Sequence, residues 1–513
     1  MTTRFLRPEL LALVVPVVLF ASAACDPGPD QVLYRQAHQA AMAGQGEEAE
    51  ALYRKLFAEH PTSRLKPDAH LALGELLYRR GDFEAALVAY EAVTRGPGRK
   101  SWGYALYKQG LCQLNRREPA KAQRIFQEVI TLGEEGAIAP DERRSLVREA
   151  RRDLVKAYAA RLPAVGASDY FRRWGGPETE ALLTALGALY LERKKTDAAT
   201  SMHRELIATY PDSQKLCVWQ EAILRAALMG NDRKIQVAEA QRLGAVLARL
   251  EETPDVPAEA LEACRTGLRD TLKELALLVH RKAQKTKDPA QYDLADPLYR
   301  QYLTRFRDEK DAYAMTFYHG ELLWMLGRWE DAAEEYRRVV EMNPQGEYLK
   351  EAALGTVLAW QNALEVGDDV GLPDEARQSG HQPGVIPPAT RRMLEAYDLY
   401  VRHVPEAPEL VKVKYRRARI FYEHNHLEEA ARAFGAIVDV HPEHELAAYA
   451  ANLEIDAWNV LGRQDVVCAR LESVQGGPLT ARNPELRDTF QLLLADCRGG
   501  KTADKKAHPR PTP

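Results

Sequence analysis

The stretch Gly320-Glu-Leu-Leu-Trp-Met-Leu-Gly-Arg-Trp-Glu-Asp-Ala-Ala-Glu-Glu-Tyr-Arg-Arg-Val-Val-Glu-Met-Asn-Pro344 reads as a helix, a turn, a second helix and a stop. Gly327 falls just past the first helix, where a left-handed backbone is needed and glycine supplies it without steric cost. Pro344 ends the second helix, because its ring clashes with the preceding turn and it has no N–H to donate. Ala332, Tyr336 and Val339 recur at helical spacing and share one face. Gly320 and Ala332 are small where the two helices must touch closely.

The same pattern recurs along the chain. Ala49 is followed by Tyr53 and Pro61; Gly74 and Gly81 lead to Ala86 and Tyr90; Gly110 leads to Ala122 and Phe126. Ala49, Ala86 and Ala122 are 37 and 36 residues apart, and unrelated helices would not hold such a register. Gly187, Tyr190, Ala199, His203 and Pro211 restore the pattern after an irregular stretch. Ala295 with Tyr299, then Ala396 with Tyr400 and Pro408, and Ala430 with Phe434 and Pro442 continue it. This succession resembles the tetratricopeptide repeat, a helix hairpin of about 34 residues. The resemblance implies an all-α fold, a right-handed superhelical solenoid of antiparallel hairpins, nine or ten of them here. One hairpin cannot bury its apolar face alone, so stacked neighbours supply the core. His203 stands where the repeat has an aromatic ring and reads as a packing histidine rather than a ligand.

With 513 residues the chain is too long for one ordinary core, which favours several domains or a repeat array. Residues 31–211 read as a first array, irregular over 134–180, where Asp141–Ala160 forms a helix and Ser168–Trp174 a short partner. Residues 212–290 read as a divergent helical segment. A second array spans 291–498, with a Gly/Pro-rich surface insertion or disordered loop over 367–390. A weaker hairpin over Leu446–Val474 and a capping helix over Glu485–Cys497 close that array. The Lys- and Pro-rich tail 499–513 has too few apolar residues to fold. A net charge of -4 offers no large basic face, so no nucleic-acid partner is expected.

The first residues read as an address. Arg4 and Arg7 precede an apolar run, Leu10–Phe20, too short to span a bilayer comfortably. Ala21-Ser22-Ala23-Ala24 then leads to Cys25, so residues 1–24 read as a signal peptide. The small residues before Cys25 resemble a bacterial lipobox, although Ser22 stands where that motif prefers leucine. The resemblance implies lipidation at Cys25, with 25–30 as a short Pro/Gly linker and the bacterial cell envelope, on the periplasmic face of the outer membrane, as the location.

His424 and His426 fall in the turn inside a hairpin, and His441 and His444 in the turn leaving it. The intervening helix of about 14 residues separates the pairs by roughly 20 Å, too far to share one ion. Ala448 stands where a zincin would need its second histidine, Gly96–Ser101 is no phosphate loop, and no Gly-x-Ser-x-Gly or Cys-x-x-Cys occurs. No enzyme activity, metal or cofactor is expected. Beyond Cys25 there are five cysteines, an odd number that leaves at least one unpaired. Cys468 and Cys497, on the last hairpin and the cap, either pair or remain two buried thiols. Cys217 with Cys264 is the less favoured pairing, and Cys112 reads as a small core residue.

The resemblance implies that the first helix of each hairpin lines a groove that holds peptides or folded domains. The groove positions lie three before, one after and four after the small residue at Gly74, Gly110, Gly320 or Ala418. They include Tyr78, Tyr107, Phe317, Trp324, Tyr415 and Tyr422, aromatic side chains that bury large area with few rotors. Function is expected to be that of a lipid-anchored envelope scaffold for protein partners. Glu149–Ala159 and Tyr397–Pro405 resemble the repeat lipoproteins of myxobacterial gliding motility. The alternative is an accessory or enzyme-like factor in outer-membrane assembly, cell-wall or polysaccharide export.

Overall fold

The computed structural model describes residues 28–95, 101–367 and 382–498. Within them every regular element is helical. The chain divides into two units, residues 1–211 and 212–513.

The first unit runs α1 (Pro29–Met42) and α2 (Gly46–Glu59), α3 (Lys66–Arg80) and α4 (Phe83–Thr94), α5 (Trp102–Asn115) and α6 (Pro119–Glu134) as hairpins. The long α7 (Pro140–Arg161) and short α8 (Ala167–Trp174) interrupt this plan, and α9 (Thr179–Glu192) with α10 (Thr196–Thr209) resumes it. Asp141 and Glu142 in the first turn of α7 and Arg161 in its last complement the helix dipole. In the regular hairpins each helix packs on its partner, while α7 packs mainly on α6, with further contact to α5 and α9, rather than closing a hairpin with α8.

The second unit pairs α11 (Leu216–Met229) with α12 (Arg233–Glu252), and α13 (Ala258–Thr286) with α14 (Pro289–Arg305). Next come α15 (Ala312–Met325) with α16 (Trp329–Met342), and α17 (Leu349–Ala363) with α18 (Pro388–His403). The pairs α19 (Leu410–Glu423) with α20 (Leu427–Val440) and α21 (Glu445–Val460) with α22 (Gln464–Val474) follow. The short α23 (Pro478–Arg482) and α24 (Pro484–Arg498) end the stack. The stretch expected to be divergent keeps the hairpin plan, with helices drawn out to 20 residues in α12 and 29 in α13. The insertion between α17 and α18 lies largely outside the described residues, as do the leader, Cys25 and the tail.

The core follows from the repeated small–aromatic pairing. Ala49, Ala86, Ala122, Ala199, Ala295, Ala332 and Ala430 are fully buried. So are the aromatic rings one turn further on, among them Tyr53, Tyr90, Phe126, Tyr299 and Phe434. The facing helix must be bare there. A Cβ on Gly74 would come within 2.7 Å of the Tyr90 ring, and one on Gly110 within 2.5 Å of Phe126. His203 takes the same place against Gly187, fully buried, its Nδ1 2.7 Å from the Ala199 carbonyl. Helices α2, α10, α16 and α20 stop just short of Pro61, Pro211, Pro344 and Pro442.

Candidate functional site

The groove positions are built on first helices, whose small residue packs inward and leaves other faces free. In the first unit they converge on a polar–aromatic cluster. Glu75 on α3 accepts hydrogen bonds from the Tyr90 hydroxyl (2.6 Å) and the Tyr104 hydroxyl (3.1 Å). Lys108 on α5 pairs with the same carboxylate at 3.0 Å, and its ammonium lies 4.0 Å from the centre of the Tyr78 ring. Burial raises the pKa of the Tyr90 and Tyr104 phenols, and the neighbouring Glu75 charge adds to it. The Tyr78 hydroxyl accepts from Asn115 (3.1 Å). Tyr107 donates to Asp153 of α7 (2.6 Å), which also binds Lys156 (2.7 Å). Tyr78 and Tyr107 are half-buried, each with its hydroxyl tied back.

In the second unit the aromatic surface is on α15 and the start of α17. Phe317 stacks on Tyr348 with centroids 4.3 Å apart and planes 4° from parallel. The Tyr348 N–H donates to the Tyr313 hydroxyl (3.0 Å), and the hydroxyls of Tyr318 and Tyr348 meet at 2.9 Å. Trp324 meets Trp329 edge-on at 4.9 Å. Phe317, Trp324, Tyr313 and Tyr348 are all half-buried, so their rings are held in place yet still reach solvent. Tyr348 and Tyr313 escape a register count based on one helix. The available signal was an aromatic residue four past Pro344, at the entry to the next hairpin.

Two expected groove residues are placed differently. Tyr415 is fully buried, its ring 5.5 Å from Phe434, and presents no surface to a partner. Tyr422 is 7% exposed and donates to Asp456 of α21. The neighbouring hairpin covers this part of α19, which converts a groove register into core.

The sulfur chemistry is structural. Cys468 and Cys497 form a disulfide with Cα atoms 5.8 Å apart. Cys217 and Cys264, the less favoured pair, are also joined, at a Cα separation of 6.0 Å. The latter bond links the first helices of two adjacent hairpins. Cys112 is a free, buried thiol whose pKa burial pushes up to about 12. Glu221 lies beside the Cys217–Cys264 bond. Sulfurs joined to each other carry neither charge nor proton, so this trio offers an ion only a carboxylate. The four histidines go separate ways: His424 Nδ1 lies 2.9 Å from the Ile420 carbonyl and His426 Nε2 2.9 Å from that of Gly384. His441 faces Lys414, and His444 caps the N–H of Leu446. No helix among the described residues is long and apolar enough to cross a membrane.

Fold and surface together define an all-α repeat protein of the tetratricopeptide type. Models of the tetratricopeptide repeat match residues 34–100 and 290–347, and a second such model matches 104–132. The chain therefore carries tetratricopeptide repeats in both units. A comparison with curated protein sequences gives no match. Among solved structures, the chain is similar to Naa15/Naa10 bound to HypK-THB at 13% identity, covering 92% of this chain and 68% of that one, with a TM-score of 0.30. It is also similar to the C-terminal part of a TPR repeat-containing protein from Cytophaga hutchinsonii, at 14% identity over 55% and 98% of the chains and a TM-score of 0.29. The TPR2AB domain of yeast Sti1 in complex with pHSP90 matches at 12% identity over 64% and 98%, with a TM-score of 0.22.

Proposed function

We propose that this protein is a scaffold of the bacterial cell envelope, lipid-anchored through Cys25, that holds a protein partner on the first-helix faces of its repeats. The observation that carries the binding reading is the half-exposed aromatic surface of Tyr313, Phe317, Trp324 and Tyr348. Rigid rings that are packed on one side and wet on the other supply contact area at small entropic cost. Binding is the chemistry that such packed, partly exposed rings support. The likeness of Glu149–Ala159 and Tyr397–Pro405 to gliding-motility lipoproteins favours a multiprotein envelope machine as the setting.

The test has two arms. Trp324→Ala and Phe317→Ala, with folding checked by thermal melt, should reduce recovery of co-purifying envelope proteins from detergent-solubilised membranes. Full recovery by both folded variants would remove the groove reading. Cys25→Ala should leave the precursor uncleaved or release the protein from membranes, because a multiply acylated cysteine holds firmly at about 0.8 kcal/mol per buried CH₂. A Cys25→Ala chain that is processed and fractionates like wild type would remove the anchor.

A further inference from the structure

The aromatic surface on α15 and the start of α17 is bordered by charge of one sign. Glu321 lies one turn before Trp324 on α15, Glu347 directly precedes Tyr348, and Glu351 follows one turn later in α17. Glu347 and Glu351 are exposed, and neither makes a hydrogen bond or ion pair among the described residues. Glu321 accepts from the Tyr336 hydroxyl at 2.5 Å and has no cationic partner among them either. On α16, by contrast, Asp331, Glu334, Glu335 and Glu341 all have arginine partners. The phenols feel this difference. Burial pushes the pKa of Tyr313 up, the N–H that Tyr348 donates to its oxygen opposes this, and the charges of Glu347 and Glu351 push it further up. Tyr336 is raised by burial and by Glu321. Every charge that acts on these two hydroxyls is a carboxylate.

An acidic partner would be repelled from such a surface, and a neutral one would leave its charge unanswered. Lysine and arginine suit both of its parts, because an aliphatic stem packs on apolar rings while the charged head stays in water beside a carboxylate. Tyr313 and Trp324 are 11 positions apart on α15. That is about 16 Å of helix, the length of roughly five extended residues. We propose that the partner segment held on this surface is basic: a short extended stretch whose cationic heads pair with Glu321, Glu347 and Glu351 and whose stems lie on Tyr313, Phe317 and Trp324. The proposal rests on the reading of this surface as the docking face, and the experiment separates the two. Attraction by exposed carboxylates is screened by salt, so binding of a basic segment should weaken as ionic strength rises.

The experiment uses the purified chain and three fluorescent capped hexapeptides in which proline alternates with lysine, glutamine or glutamate, followed by anisotropy at low and high salt. The lysine peptide should bind best and lose affinity with salt, and the glutamate peptide should not bind. The double variant Glu347→Gln/Glu351→Gln, at exposed positions without partners, should weaken the lysine peptide roughly 3- to 10-fold, as loss of two exposed charge pairs does, and flatten its salt dependence. Glu485→Gln with Asp496→Asn, which removes the same charge from α24, should change neither. Phe317→Ala should weaken the lysine peptide as well. No binding of the lysine peptide, equal binding of the glutamine peptide, or an equal loss in the α24 variant would overturn the proposal. So would lysine-peptide binding that survives the double variant or Phe317→Ala. If partner recovery still depends on Phe317 and Trp324 while the lysine peptide fails, the docking face stands and its basic occupant falls.

Discussion

A Cβ placed on Gly320 would stand 2.9 Å from Cε1 of Tyr336, closer than packed carbons approach. The ring has nowhere to retreat. Gly355 of α17 faces its other side, where a Cβ would again come to 2.9 Å, and the hydroxyl is tied to Glu321 Oε1 at 2.5 Å. Gly320→Ala is therefore expected to cost about 1–3 kcal/mol, as overpacking does. Urea unfolding of the variant checks this, and an unchanged midpoint would contradict it.

Most turns inside the hairpins contain one residue with positive φ. Gly81, Gly327 and Gly462 supply it at 84°, 69° and 71°. Arg117, Lys194 and Asn425 occupy the same place at 62°, 57° and 60°. A side chain there is strained by roughly 1–2 kcal/mol, partly offset in glycine by its freer unfolded chain. Lys194→Gly should raise stability by about 0.5–1 kcal/mol. A lower melting temperature for that variant would refute the assignment.

His319 predicts a pH slope. Burial opposes protonation of its imidazole, but the hydrogen bonds to Asp296 and Glu335 outweigh it and raise the pKa above 6.5. The folded state then keeps a proton that the unfolded state releases. Its stabilising contribution is complete below pH 6.5 and is lost as pH rises through the folded value. Glu454, pushed up to about 7 by burial despite the neighbouring Arg470, has the same sign between pH 4.5 and 7. Chemical denaturation across pH 6 to 9 should show wild-type stability falling, and a shallower fall in His319→Gln. Identical slopes would exclude His319 as the source.

Removing the Cys468–Cys497 bond, which closes a separation of 29 residues, should lower stability by roughly 3 kcal/mol. Peptide mapping without reduction should recover this pair and Cys217–Cys264, and leave Cys112 free. Any other pairing would contradict the packing of these helices.

The hairpins were legible because the repeat is local. Ala332, Tyr336 and Gly327 each serve a contact or turn within one hairpin, and the spacing of such residues survives in the sequence. Depth was not legible. Phe317 and Tyr415 hold the same register three before a small residue, yet one is half-exposed and the other buried, because adjacent hairpins cover them differently. Cys217–Cys264 ranked behind Cys468–Cys497 for a related reason, since its separation of 47 residues crosses a whole hairpin.

A linear stack ordinarily frays from its ends, where a terminal repeat has a neighbour on one side only. In the second unit both ends are covalently pinned, α11 to α13 through Cys217–Cys264 and α22 to α24 through Cys468–Cys497. Opening from either terminus would have to carry a second helix with it. Amide exchange in α11 and α24 should therefore be slow in the oxidised protein and should speed up on reduction.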